Sequence, residues 1–145
     1  MIIAAILQGK GSQVVSVGPG DSVLSVARTL AQHRIGAALV RSGTGAILGI
    51  ISERDIVRGM AGQGPGTSQR PAAELMTHDL VTVTPRTLVT EALSLMTHRR
   101  VRHLPVLEAD GQLAGLVSIG DLVKARIEEA EHEAEALKAY VASGG

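Results

Sequence analysis

Gly49-Ile50-Ile51-Ser52-Glu53-Arg54-Asp55 decides the fold, because the chain contains this stretch twice; the second copy is Gly115-Leu116-Val117-Ser118-Ile119-Gly120-Asp121. In each copy a short apolar run stops at a serine, and an aspartate follows three residues later. The apolar run reads as the end of a buried strand. The serine reads as the N-cap of a helix whose first apolar residues are Ile56 and Val57, or Leu122 and Val123. A strand that ends at a capped helix leaves backbone N–H groups converging on one spot, which attracts phosphates. The aspartate can accept two hydrogen bonds from neighbouring hydroxyls, as a ribose offers. Ser-x-x-Asp is also close to a capping box, which stabilises a helix start and does nothing else. The two roles are compatible.

Working outward, a shift of 66 positions aligns Val14–Arg58 with Leu80–Lys124 without a gap. Pro19, Arg34, Val40, Gly45, Gly49, Ser52 and Asp55 recur as Pro85, Arg100, Val106, Gly111, Gly115, Ser118 and Asp121. Each repeat opens on a short strand, Val14–Val17 or Val81–Val83, stopped near a proline. A helix follows, with Val23, Val26, Ala27 and Leu30, or Val89, Ala92, Leu93 and Met96, at helical spacing. Ala37–Val40 and Leu104–Leu107 are the next strands. Turns at Ser42–Gly45 and Ala109–Gly111 lead into Ile47–Ile51 and Leu113–Val117. The fold class is therefore α/β (α+β): two pseudo-symmetric β-α-β-β-α repeats packed through their sheets, with an extended C-terminal helix. One repeat alone has too little core to be stable.

The expected division is a first repeat over residues 2–61, a linker over 62–70, a second repeat over 71–126, and a C-terminal helix and tail over 127–145. Gly62, Gly64, Pro65, Gly66 and Pro71 make the join read as a flexible tether. Ala72–Met76 reads as a short helix entering the second repeat, with Pro71 at its first position. In the last helix Ile127, Ala130, Ala134, Leu137 and Val141 recur at steps of three and four, a seam for a partner helix in a second copy or for packing back on the chain's own domain.

Composition narrows the function. The 145 residues include no Phe, no Trp and one tyrosine, so there are no stacking platforms for single-stranded nucleic acid. Net charge is zero, which removes the electrostatic footprint of a DNA or RNA binder. Without cysteine there is no disulfide, thiolate metal site or cysteine nucleophile. Met1–Leu7 is apolar but short, has no basic start, and reads as a brief helix rather than a signal peptide. No apolar run approaches the ~18 residues of a membrane span. The expectation is a cytoplasmic protein with no membrane or nucleic-acid partner.

Other chemistries fit poorly. His98 and His103 lie five apart across a helix-to-strand junction and His132 sits on an acidic helix, so no metal site is expected. Gly62-x-Gly64-x-Gly66 follows no strand and is not a dinucleotide fingerprint. Ser52, His33 and Asp55 make a hydrolase triad on paper only, because nothing sets a base or an oxyanion hole beside Ser52. No catalytic residues are assigned and the chain reads as a non-enzyme.

The tandem units, the two Gly-φ-φ-Ser-x-x-Asp signatures (φ apolar) and the run Arg102-His103-Leu104-Pro105-Val106 together resemble a pair of cystathionine-β-synthase (CBS) domains, a Bateman module. The match covers nearly the whole chain, about Ile2 to Arg126, with nothing catalytic attached, like a stand-alone CBS-pair protein. The resemblance implies a homodimer and a regulatory role in signal transduction. It also implies adenosyl ligands, namely AMP, ADP, ATP, S-adenosylmethionine or NAD(H), in the clefts between repeats, AMP being the first choice. By that resemblance Asp55 and Asp121 hold ribose hydroxyls, while Ser52 and Ser118, with Gly120 beside Asp121, meet ribose or phosphate. Strand backbone at Ile35, Gly36, Ala37 and Ala38, and at Val101, Arg102, His103 and Leu104, grips the adenine edge. Pro105, lacking an N–H, suits an edge strand and leaves nearby backbone groups free to read a base. A threonine often stands near the ligand on the first strand; Thr82 and Thr84 fit in the second repeat, but Ser16 and Gly18 stand there in the first, so unequal occupancy is expected. Arg100, Arg102 and His103 are expected to meet phosphates, with Arg34 and Arg54 serving the other site. A ligand-free dimerisation module and an enzyme acting on a nucleotide are the other readings.

Overall fold

In the computed structural model, which describes residues 1–144, each Gly-φ-φ-Ser-x-x-Asp signature is the end of an antiparallel hairpin running into a helix. In the first repeat β1 (Ser16–Val17) pairs parallel with β2 (Ala37–Arg41), and β2 pairs antiparallel with β3 (Ile47–Ser52). Helix α2 (Val23–His33) precedes β2 and α3 (Glu53–Gln63) follows β3. In the second repeat α5 (Val89–Arg99) precedes β4 (His103–Leu107), which pairs antiparallel with β5 (Leu113–Ser118); α6 (Ile119–Ala142) follows. The two hairpin registers are the same: Ala37 faces Ser52 as His103 faces Ser118, and both slip at the same place.

The chain divides into a first unit, Val14–Leu80, and a second, Met1–Gln13 with the chain from Val81 onward. This division differs from the repeat boundaries, because each repeat's leading segment docks on the other repeat. Helix α4 (Ala72–Leu75) precedes the second repeat but lies in the first unit, where Ala72 N donates to Asp21 O and Ala73 N to Pro19 O. Helix α1 (Ile3–Lys10) precedes the first repeat but lies in the second unit, where Ile3 N donates to Thr87 O and Ala4 N to Pro85 O. Thr87 and Pro85 are the counterparts of Asp21 and Pro19, so one docking geometry is used twice. Each leading segment buries an apolar residue, Ile3 or Ala72, in the core it joins. The first core also holds Val17, Val26, Leu30, Val40 and Ile51; the second holds Val89, Met96, Leu104, Val117 and Leu122. Burial of Ile3 is worth about 1.5–3 kcal/mol and that of the Ala72 methyl roughly 0.8 kcal/mol, which adds to what such short helices could hold by themselves.

Docking explains the signature glycines. A Cβ on Gly49 would come 2.6 Å from Thr77 O, and one on Gly115 2.7 Å from Leu7 Cδ2. Both glycines are where a leading segment crosses the hairpin.

Three expectations change. The join is not a loose tether: Gly64–Gln69 form a 3-10 helix, and Thr67 is fully buried, its hydroxyl donating to Gly59 O and Gly64 O. The glycine and proline content reflects tight turning rather than missing structure. The strand expected at Val81–Val83 is a single bridge from Val83 to Val106. Pro105 is the cause. Its counterpart Leu39 donates its N–H to Val15 O, and Pro105 has no N–H to give Val81 O. Nor does Pro105 lie on an edge, since β4 has β5 on one side and the Val83 bridge on the other. The backbone acceptor left over is Val81 O, on the neighbouring segment; no backbone donor reaches it among the described residues.

Helix α6 is one continuous helix from the second signature to Ala142, the extended C-terminal helix expected from the sequence. The seam residues do not pack back on the domain: Ile127, Leu137 and Val141 are 53%, 64% and 65% exposed.

Candidate functional site

Both serines cap as expected. Ser52 Oγ accepts from Asp55 N at 3.3 Å, and Asp55 Oδ2 accepts from Ser52 N at 2.9 Å and from Ser52 Oγ at 3.0 Å. Ser118 Oγ accepts from Asp121 N at 3.2 Å, and Asp121 Oδ2 accepts from Ser118 N at 2.8 Å. Each aspartate thus closes a capping box. Both carboxylates are half-buried and each reaches beyond its own helix.

Their outside partners differ. Asp55 Oδ1 accepts from the Thr77 hydroxyl at 3.2 Å. Asp121 Oδ2 accepts from Lys10 Nζ at 2.5 Å, and the same ammonium donates to Leu116 O at 2.9 Å. Burial alone would push the Asp121 carboxyl up. The Lys10 hydrogen bond and charge, with the Ser118 amide and hydroxyl, outweigh it and hold the group below the ordinary carboxylate range. Asp121 and Lys10 line a cavity of about 370 Å³ between α1 and α6, together with Ala5, Ile6, Lys124 and Glu128. Lys10 and Thr77 were not singled out in the sequence, because neither lies in a repeated motif; only the exchange of leading segments brings them in.

Arg34 and Arg100 close α2 and α5 in the left-handed conformation, with φ of 54° and 55°. Ile35 N donates back to Leu30 O and Val101 N to Met96 O, the 6→1 bond of a Schellman ending. Glycine or asparagine suits such a position; arginine carries a cost of roughly 1–2 kcal/mol there. The cost recurs at matched positions in both repeats. Both side chains are exposed, as are Arg54, Arg99 and Arg102, and none of the five has a carboxylate within ion-pair distance among the described residues.

The rest of the expected adenine-edge backbone is partly engaged. Gly36 O accepts from Glu53 N and Arg102 O from Ile119 N, which ties each strand entrance to the following helix start. Ala37, Ala38, Leu104 and Pro105 are buried, and His103 opens β4 opposite Ser118. Thr82 is exposed. Thr84 shapes a turn: its hydroxyl accepts from Arg86 N and its amide donates to Thr87 Oγ1. Gly120 lies in the first turn of α6. Among the described residues no group of three or more His, Asp or Glu side chains is placed to hold a metal ion, and no helix is long and apolar enough to cross a membrane.

Comparison with known proteins agrees with this architecture. The family model for the CBS domain matches twice, over residues 11–62 and 72–128. The CBS domain-containing protein CBSX3, mitochondrial, of Arabidopsis thaliana is 40% identical over 128 residues, covering 86% of this chain and 62% of the plant protein. The crystal structure of the CBS-domain containing protein ATU1752 from Agrobacterium tumefaciens superposes with a TM-score of 0.84 at 42% identity, covering 86% of this chain and 92% of that one. The CBS domain protein PAE2072 from Pyrobaculum aerophilum, solved in complex with AMP, superposes at 0.73 with 27% identity over 83% of this chain and 89% of that one. Two tandem hairpin-and-helix repeats, two capped aspartates and two family matches lead to one conclusion: this chain belongs to the CBS-domain family and carries a pair of CBS domains.

Proposed function

We propose that this chain is a non-catalytic regulatory module that binds an adenine nucleotide, AMP in the first instance, at its Ser-x-x-Asp helix starts. The observation that carries the reading is the matched pair of half-buried carboxylates, each fixed by a capping box and each met from outside its own helix, among the described residues, by a side chain that can move away. A ribose diol supplies the donors that would replace Thr77 or Lys10. Arg34 and Arg100, kept in a costly backbone conformation at matched places, supply guanidinium groups for phosphate, with Arg102 and His103 just after Arg100 in sequence and Arg54 next to Asp55. Val81 O, without a backbone donor, is a natural acceptor for an adenine amino group. That PAE2072 was solved with AMP adds support from a relative. ATP, ADP and NAD(H) share the adenosyl group and are the alternatives.

Regulation requires that the ligand bind one arrangement of the module better than another. The exposed seam on α6 suits a second copy of the chain, and a homodimer is part of the proposal. The test is mass spectrometry of the fraction released by heat from freshly purified protein, alongside AMP, ATP and NADH incubated with the protein and recovered. An adenosyl compound in the first and unchanged nucleotides in the second are expected. Empty protein that takes up none of the three would leave a dimerisation module, and a converted nucleotide would mean an enzyme.

A further inference from the structure

Lys10 occupies in the second unit the place that Thr77 occupies in the first. Ile50 O accepts from Thr77 N at 2.8 Å; Leu116 O, the same position one repeat on, accepts from Lys10 Nζ at 2.9 Å. Asp55 accepts from the Thr77 hydroxyl at 3.2 Å; Asp121 accepts from Lys10 Nζ at 2.5 Å. The chemistry differs because the leading helices differ in length. Helix α4 stops at Leu75, and Thr77 pairs its backbone with Ile50. Helix α1 continues to Lys10, so among the described residues no amide of the leading segment reaches Leu116 O and the ammonium serves both acceptors.

We propose that Lys10 is an internal competitor for the ribose-binding carboxylate of the second unit, so that the chain takes one adenosyl ligand tightly, at Asp55, and a second only when Lys10 withdraws. This rests on the nucleotide-binding reading above. A diol gripped by both carboxylate oxygens has to displace what they already hold. At Asp55 the donors in the way are the Ser52 and Thr77 hydroxyls, each turning on a single bond and each able to hydrogen-bond the incoming sugar. At Asp121 the Ser118 hydroxyl has the place of Ser52, but the outside donor is an ammonium tied at two points, through a charge-assisted bond about twice as strong as a neutral one. Lys10 also cancels the charge that makes a carboxylate a good acceptor. On withdrawal the ammonium has a second carboxylate, Glu128, on the wall of the same cavity. Ligand entry at Asp121 is thereby coupled to release of the end of α1.

The test is calorimetric titration of AMP into the wild-type chain, Lys10→Met and Lys10→Met/Asp121→Asn, with circular dichroism confirming the fold of each. Wild type should show one tight event per chain. Lys10→Met should gain a second event about tenfold or more tighter than any second event in wild type, and the double variant should lose it. Should Lys10→Met fail to fold, Lys10→Gln, which can still donate to Leu116 O, replaces it with the same expected gain. Two equally tight events in wild type, or a variant isotherm identical to it, overturn the competition while leaving nucleotide binding intact. No AMP binding by any of the proteins overturns the functional reading and this inference together.

Discussion

Arg34 and Arg100 hold a left-handed backbone that glycine would hold without strain. If their side chains are there for a ligand, stability and binding pull in opposite directions at this position. Arg34→Gly, on the side of the tight site at Asp55, should leave the chain as stable or more stable, by up to about 1 kcal/mol, as loss of αL strain is partly offset by the freer unfolded chain. The same variant should weaken AMP binding tenfold or more, as loss of a charge-assisted bond worth roughly 1.5–3 kcal/mol predicts. Denaturant melts and titration on one protein preparation check both. The Lys10–Asp121 pair gives a second residue-scale expectation. The folded Asp121 carboxyl titrates below its ordinary value of 3.8, so the unfolded state takes up its proton first. The pair's stability is present above about that pH and is lost as pH falls through the lowered folded value. Lys10→Met should flatten this acid limb, its melting temperature converging with wild type as pH falls below the lowered folded value; parallel curves would deny the coupling. Asp121's role as a cap was legible in the sequence. Its partner was not, because Lys10 is linked to it only through tertiary contacts.

At the scale of elements, hairpins and helices were legible because period and punctuation agreed with packing. Ser52 and Ser118 fixed two helix starts, and Gly45 and Gly111, both at positive φ, fixed the hairpin turns. Two elements were misread for physical reasons. The 3-10 helix at Gly64–Gln69 hides behind residues that usually mean a loop, and only the burial of Thr67 shows otherwise. The missing strand at Val81–Val83 follows from the absent N–H of Pro105, a donor owed to a neighbouring segment rather than to its own. The signature glycines allow a graded test. An Ala at 49 meets backbone, Thr77 O, whereas an Ala at 115 meets the movable end of Leu7. Gly49→Ala should therefore cost about 1–3 kcal/mol and Gly115→Ala clearly less, read from urea midpoints; the reverse order would contradict the docking of the leading segments. On α6, Leu137→Glu should leave the circular dichroism spectrum at 25 °C unchanged, since Leu137 is 64% exposed. It should shift the chain toward monomer in light scattering if the seam joins two copies.

For the whole molecule, the duplication was the most legible feature, because an ungapped offset of 66 carries Pro19, Gly45 and Gly49 onto Pro85, Gly111 and Gly115. The exchange of leading segments was not legible. Met1–Leu7 and Arg70–Met76 share a docking pattern but little sequence beyond small and apolar side chains, and their offset differs from that of the repeats. That exchange makes the two carboxylates chemically unequal, through a hydroxyl at one and an ammonium at the other. The central claim is that these carboxylates receive the sugar of an adenosyl ligand. Its most direct measurement is calorimetric titration of AMP into wild type and Asp55→Asn, a change that keeps the shape of the capping residue and removes its charge. The account predicts a tight event in wild type that weakens at least about tenfold in the variant; an equal affinity in the two proteins would contradict it.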